Sequence, residues 1–321
     1  MSVRIIVGDC AETLRGLDAG SVHTCVTSPP YFGLRDYGHE GQIGLEDTPD
    51  AYVARLVEVF REVHRVLRND GTLWLNLGDS YARTGGTDRN ITKTGKVGNT
   101  LKTLDLIPDR KQTAPAGLKD KDLIGIPWRV AFALQADGWY LRQEIIWHKP
   151  NPMPESVTDR CTKAHEQIFL LSKSPRYYFD AEAIREPAVW TRQNNPEWQK
   201  KRAETNAKKG AGNRNAADGG FTAWDHTKGR NRRSVWSVST KPFKGAHFAT
   251  FPPELIEPCV LAGAPSGGLV LDPFGGAGTT GVVADRLGRD AILCELNPAY
   301  AEMAHGRVKD EGGMLSEVFL R

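Results

Sequence analysis

Residues 269–284 read LVLDPFGGAGTTGVVA: an apolar strand, a glycine-rich turn and the start of an apolar helix. Gly275, Gly276 and Gly278 let backbone come close to a ligand, and the N–H groups opening the next helix suit a carboxylate or phosphate. The spacing is not that of a P-loop and no Lys-Ser or Lys-Thr pair follows, which disfavours a nucleoside triphosphate. The next apolar run, Ala291 to Cys294, ends in Glu295, then Leu296-Asn297-Pro298. An acidic residue about twenty positions past such glycines, at the tip of the second strand, is where a doubly wound sheet holds ribose hydroxyls. Together these features describe an adenosine-type site.

Upstream, helix-like and strand-like segments alternate. Ala51 to Leu67 is apolar at helical spacing and precedes a strand pattern at Gly71 to Leu77. Pro127 to Asp137 precedes Tyr140 to Trp147, and Glu166 to Ser172 follows. Such alternation implies an α/β fold with a mostly parallel sheet covered on both faces. Asp79, just past Leu77, stands at a strand end where ligands collect and where a carboxylate also caps a helix.

Near the N-terminus the apolar run Val22 to Val26 leads into Thr27-Ser28-Pro29-Pro30-Tyr31. Each proline fixes its own φ, removes an amide donor and bars the preceding residue from helix, so a rigid extended corner results. Such a corner, with a hydroxyl, carbonyls and a ring, suits a flat ring bearing an exocyclic amine. The amine of cytosine or adenine is a poor nucleophile because its lone pair is delocalised. Ser28 Oγ and the Pro29 carbonyl are acceptors able to hold its hydrogens and draw the nitrogen toward tetrahedral geometry. Tyr31 would stack on the base, an interaction worth about 1–3 kcal/mol. A turn closing a buried strand accounts for the same residues, since Pro-Pro pairs also end strands.

TSPPYFGLRDYG at 27–38, LDPFGGAGTTGVVA at 271–284 and CELNPAY at 294–300 together resemble the S-adenosylmethionine-dependent DNA amino-methyltransferases, which modify N4 of cytosine or N6 of adenine. The order, catalytic motif first and cofactor loop last, resembles the permuted beta class. The resemblance implies a Rossmann-like sheet of seven strands, mostly parallel with one antiparallel edge strand, and helices on both faces. It implies S-adenosylmethionine as cofactor and double-stranded DNA as partner. Serine in the first motif position is commoner among cytosine-N4 enzymes and Asp or Asn among adenine enzymes, which favours N4 of cytosine over N6 of adenine.

The resemblance also assigns residues. Ser28, Pro29, Pro30 and Tyr31 would be catalytic. Asp9 and Cys10, closing the apolar strand Ile5 to Val7, would lie beside the cofactor adenine. His247 and Phe248 would belong to the element that closes over the methionine end. Asp272, Pro273 and Phe274 would flank the cofactor, Thr279 and Thr280 would meet its carboxylate, and Glu295, Leu296 and Asn297 would complete the site. Trp147, Lys149 and Asn151, in the proline-rich corner 147–154, would line the base pocket. Plainer readings stand beside these: a strand-end turn at Gly8-Asp9, helix capping by the threonines, and an aromatic loop at 247–252.

Charge is unevenly spread. The chain carries a net +3, but residues 189–244 hold 13 basic against 4 acidic residues, a net +9 that leaves −6 elsewhere. This stretch breaks the apolar periodicity and interleaves Trp190, Trp198, Phe221, Trp224 and Trp236 with basic residues, among them Arg230, Arg232 and Arg233. Arg and Asn suit phosphates and base edges, and the resemblance puts the target-recognition region here; a solvated basic insertion is the plainer reading. The expected organisation is a catalytic part at 1–188 with a mobile loop at about 83–122, a basic recognition insert at 189–244 and a cofactor-binding part at 245–321.

The chain's 321 residues, 40% hydrophobic and 25% charged, suffice for one catalytic domain with a small insert. No apolar run reaches membrane-spanning length and no signal pattern opens the chain, so a cytoplasmic protein without membrane association is expected. Five scattered cysteines without a Cys-x-x-Cys pair read as reduced thiols, and no metal site is expected, since His165-Glu166 has no second histidine at helical spacing. Carbon-5 methylation needs a cysteine nucleophile and is disfavoured, because the Pro-Cys pair present, Pro258-Cys259, falls in the helix expected before the cofactor strand. A non-catalytic DNA-binding regulator is the alternative of another class. A homodimer and a cognate restriction endonuclease acting on the same site are partners left open.

Overall fold

Two strands from distant parts of the chain organise the molecule. In the computed structural model β2 (Val22–Thr27) and β7 (Leu269–Asp272) run side by side and parallel, with Cys25 opposite Leu271. Described residues are 1–82 except 35, 37 and 40, then 117–187, 197, 200, 201, 204, 229–241, 251–312 and 317–321. Seven further strands complete the sheet: β1 (Ser2–Val7), β3 (Leu67–Leu77), β4 (Tyr140–His148), β5 (His165–Ser172), β6 (Val235–Ser237), β8 (Asp290–Glu295) and β9 (Glu317–Leu320). Their order is β6-β4-β5-β3-β2-β7-β8-β1-β9. From the β2–β7 junction the chain winds outward in both directions. Such a reversal opens a crevice at the carboxyl ends of the strands, and both sequence motifs begin there.

The α/β class and the mostly parallel sheet agree with the sequence reading; the strand count and the position of the antiparallel strand do not. Among the described residues nine strands are present rather than seven. The antiparallel strand is β5, and it lies inside the sheet, between β3 and β4, rather than at an edge. Two short strands make the difference. β9 pairs with β1, and β6 pairs with β4, packing the buried Trp236 6.4 Å from Trp74. A three-residue strand is too short to show alternation, so β6 was legible only as part of a basic stretch.

The helices follow local chemistry. In α2 (Pro49–Val66) Thr48 caps the first turn by accepting from Ala51 N, and Pro49 occupies a first-turn position that needs no amide donor. Tyr52, Leu56, Val59, Phe60 and Val63 recur at helical spacing and are buried. Each such side chain contributes about 1.5–3 kcal/mol of burial. α3 (Ile126–Ala136) starts at Gly125 with no cap of its own; Asp79 supplies one, its carboxylate accepting from Ser80 N, Gly125 N and Ile126 N. The others are α1 (Cys10–Arg15), α4 (Pro253–Gly263), α5 (Thr279–Arg286) and α6 (Pro298–Glu311). Among the described residues no helix is long and apolar enough to cross a membrane.

The chain divides into two compact units, residues 1–179 with 234–321, and residues 180–233. The first holds the sheet, including β6 from within the stretch expected as an insert. In the second, Glu186 and Arg230 form an antiparallel bridge, and the Glu186 carboxylate pairs with Arg230 at 3.1 Å and Arg233 at 2.9 Å. These pairings and the adjoining backbone N–H of Arg233 hold the Glu186 carboxyl below its ordinary range against a burial penalty.

Candidate active site

A cavity of about 950 Å³ opens at the β2–β7 crevice. Ser28, Pro29, Pro30 and Tyr31 form part of its wall, and Pro273 to Ala277, Thr279 and Glu295 another. A buried joint holds the two walls together. Asp272 accepts from Thr27 Oγ1 and from Thr280 Oγ1, each at 2.6 Å, and from Phe274 N at 3.1 Å. Burial raises this carboxyl, and its three donors act in the opposite sense. Thr280 is therefore structural. Its hydroxyl is spent on Asp272, it is fully buried and it does not line the cavity, unlike Thr279. Neither threonine caps α5; its N-cap is Gly278.

At the proline corner, Tyr52 in α2 donates to the Pro30 carbonyl at 2.8 Å, whereas no described hydrogen bond occupies that of Pro29. The Tyr31 hydroxyl donates to Glu166 Oε2 at 2.7 Å and accepts from Asn76 Nδ2 at 2.7 Å. Its ring lies against Gly78, where an added Cβ would come within 2.4 Å of Cε2. Tyr31 is thus an anchored wall. Burial, reinforced by Glu166, pushes its phenol well above the ordinary value. Ser28 is held loosely, its Oγ 3.5 Å from the Tyr31 hydroxyl and 3.4 Å from Asn76 Nδ2, so the hydroxyl retains capacity for a ligand.

Trp147, Lys149 and Asn151 also line the cavity. Trp147 donates to the Val238 carbonyl, and the Lys149 ammonium lies 4.3 Å from its ring centroid while pairing with Glu166 Oε1. Asn151 has a docking role. Its amide clasps the backbone of Thr240, donating to the carbonyl at 3.0 Å and accepting from the N–H at 2.9 Å.

At the opposite end, Glu295 accepts from Gly276 N at 2.8 Å and from Asn297 N at 2.9 Å, and burial raises its carboxyl above the ordinary value. The Asn297 side chain caps α6. Asp9 caps α1 and lies 3.5 Å from Arg55, and the Cys10 thiol is pushed up to about 12, first by burial and then by Asp9. Gly275, which lines the cavity, and Gly278 also answer to packing, since an added Cβ would lie 2.9 Å from Leu293 Cβ or Ala304 Cβ respectively. Arg307, from α6, braces the turn by donating to Thr279 Oγ1 and the Ala277 carbonyl.

Some expected residues fall elsewhere. Arg230, Arg232 and Arg233 belong to the second unit, where Arg230 and Arg233 are paired with Glu186. His247, Phe248 and residues 83–116 of the expected loop lie outside the described residues, as does most of 188–228. Asn76, Lys163 and Glu166, three cavity residues, were not anticipated. The β3–β5 register brings Asn76 and Glu166 together, with Asn76 opposite Ile168. That register has no local signature.

The N6/N4 DNA methylase family matches residues 22–306. The chain belongs to that family. It is 48% identical over 307 residues to the Type II methyltransferase M.SmaI of Serratia marcescens, covering 96% of this chain and 91% of the relative. With M.Cfr9I of Citrobacter freundii it shares 49% over 304 residues, 95% of this chain and 87% of the relative. Among solved structures, a Thermus thermophilus protein described as a DNA modification methylase, complexed with S-adenosyl-L-methionine, aligns with a TM-score of 0.57 and 26% identity, over 98% and 99% of the two chains. The cytosine-N4-specific PvuII DNA methyltransferase aligns with a TM-score of 0.60 over 95% of this chain and 85% of its own; at 18% identity it attests the methylase's fold alone.

Proposed function

We propose that this methylase binds S-adenosylmethionine and transfers its methyl group to the exocyclic amine of a base flipped out of double-stranded DNA, N4 of cytosine being the favoured acceptor. The observation that carries the reading is the shared cavity, in which the Ser28-Pro29-Pro30-Tyr31 corner and the 273–277 turn with Glu295 line one space. The cofactor end suits this molecule. Asp9, Asp272 and Glu295 line it beside Phe274, Leu296 and Tyr300, a set of acceptors and apolar surfaces that matches a cation bearing an adenosine and disfavours a polyphosphate. When bound, S-adenosylmethionine supplies an electrophilic sulfonium methyl.

The chain's own residues do the rest. Glu295 accepts from hydroxyls, and Phe274 offers a flat apolar surface. Ser28 Oγ and the Pro29 carbonyl receive the amine hydrogens and orient its lone pair. Methylation requires the amine to shed a proton; Ser28 Oγ is the adjacent acceptor, and Glu166, accepting from Tyr31 and Asn76, is the anion behind it. Flipping costs a few kcal/mol, which contacts to DNA offset. Support for cytosine is the serine at position 28. The Type II relatives support recognition of one short sequence, read by the basic unit and shared with a restriction endonuclease.

Nucleoside mass spectrometry on DNA incubated with the protein and S-adenosylmethionine tests this. N4-methylcytosine is expected. N6-methyladenine would replace the base assignment, and no methylated nucleoside would overturn the reading.

A further inference from the structure

Three lysines line the cavity; Lys241 is paired with Glu254, and the other two stand in different circumstances. Lys149 is neutralised by Glu166 Oε1. The other Glu166 oxygen is taken by Tyr31 and by Asn76 at 3.0 Å, and the Asp79 carboxylate is committed to the backbone N–H of Ser80 and to those of Gly125 and Ile126 at the start of α3. Lys163, the second of the two, has no carboxylate partner among the described residues. Its one described hydrogen bond is to the Asp79 carbonyl, at 3.4 Å. A well-formed bond from an ammonium is about 2.7–2.9 Å long. The side chain is half-buried, and burial lowers its ammonium below the ordinary value even though Asp79, Glu166 and Glu155 oppose that shift. A partly desolvated cation with donors to spare is costly unless a ligand brings acceptors.

We infer that Lys163 donates a hydrogen bond to the ring nitrogen next to the exocyclic amine of the flipped base. The inference rests on the base-methylation reading above. Cytosine N3 and adenine N1 both occupy that position and both accept, so the assignment holds whichever base is modified. The carboxylates near Lys163 repel a phosphate but tolerate a neutral acceptor. Donation into the ring draws electron density from the amine, so this contact holds the base rather than activating it. Its loss therefore falls on KM for DNA more than on kcat.

The test is a cycle between the side chain and the ring atom. Once the recognised sequence is mapped from DNA of cells expressing the protein, two duplexes are made: one natural, and one whose target is 3-deazacytosine or 1-deazaadenine, with carbon in place of that nitrogen. Lys163→Met is expected to raise KM for the natural duplex roughly tenfold or more. The deaza target is expected to cost the wild-type protein a similar factor and the variant little more, the non-additivity of groups in contact. Lys163→Arg, which keeps the charge and donors, should recover part of the loss. Multiplying losses would overturn the inference, as would a Lys163→Met effect that appears as a shallower salt dependence of DNA binding, the mark of a phosphate contact. Loss of cofactor binding in Lys163→Met that Lys163→Arg does not repair would make the residue structural and also overturn it. These outcomes leave base methylation intact. A wild-type protein that methylates no DNA would instead remove the reading beneath the inference, and the inference with it.

Discussion

The two ends of the cavity are built on different plans. At the cofactor end the contacts that shape the glycine turn are short in sequence: Glu295 reaches Asn297 two residues away and Gly276 nineteen away, and Asp272 reaches Thr280 eight away, although it also reaches Thr27 across 245 residues. Its charged groups are carboxylates. At the base end Tyr31 meets Glu166 across 135 residues and Asn76 across 45, and lysines stand in the wall. A loop that folds back on its own strand carries its geometry in a contiguous motif. A site assembled from four segments depends on sheet register, and so on the whole fold. The ends should therefore respond differently to substitution.

The largest effect is expected where the ends are joined. Asp272→Ala leaves the hydroxyls of Thr27 and Thr280 and the Phe274 N–H without their acceptor. With each orphaned buried group costing about 1–3 kcal/mol, a loss of roughly 3–5 kcal/mol is expected in urea unfolding, along with cofactor binding and transfer together. An unshifted unfolding midpoint would show that Asp272 does not tie the walls.

Ser28→Ala should divide the ends cleanly. Removing an acceptor aimed at the reacting amine is expected to lower kcat about a hundredfold while leaving the cofactor dissociation constant unchanged. Equal turnover in single-turnover assays would take Ser28 out of the chemistry.

Glu295 gives the converse division, and a pH signature. Glu295→Ala should weaken cofactor binding about tenfold and spare kcat at saturation. Burial raises this carboxyl above 4.5, so the ligand-free fold holds the proton more tightly than the unfolded chain. The group's own contribution to stability therefore grows as pH falls from the raised value toward 4.5. Cofactor affinity moves the other way, because the protonated carboxyl is a poorer acceptor and carries no charge. Calorimetric titration should show affinity declining on acidification from a pH above 4.5, and Glu295→Gln should flatten that decline.

The same contrast explains what the sequence disclosed. The glycine turn, Glu295 and the proline corner were legible because each couples a residue type to a nearby strand end. The β2–β7 adjacency was implied only by the need for both motifs to share one ligand. Glu166 was read as one residue of a scaffold strand, since nothing within its neighbourhood marks it; Tyr31, Asn76 and Lys149 give it meaning, and only the β3–β5 and β4–β5 pairings bring them close. The basic stretch was legible as charge but not as structure. Counting cations does not reveal that one half-buried glutamate holds two of them.

That last point sets the smallest expected effect, and it separates two arginines that composition treats alike. Arg230 and Arg233 both pair with Glu186, but the Arg230 side chain is 23% exposed and that of Arg233 68%. A largely exposed guanidinium can leave a carboxylate for a phosphate at little cost, because exposed pairs are worth about 0–1 kcal/mol. One only 23% exposed leaves less readily, because it gives up a partly desolvated pair with a carboxylate whose charge burial already penalises. If unit 180–233 binds DNA, Arg233→Ala should reduce the slope of log affinity against log salt by about 0.9 with unfolding unchanged. Arg230→Ala should instead loosen the unit, measured as faster amide exchange at Glu186 and Arg230, whose N–H groups form the bridge, and leave the slope nearly as it was. Equal slopes in both variants and the wild type would assign the +9 of residues 189–244 to solubility or to other cations of the stretch, and would leave the Glu186 cluster as structural support.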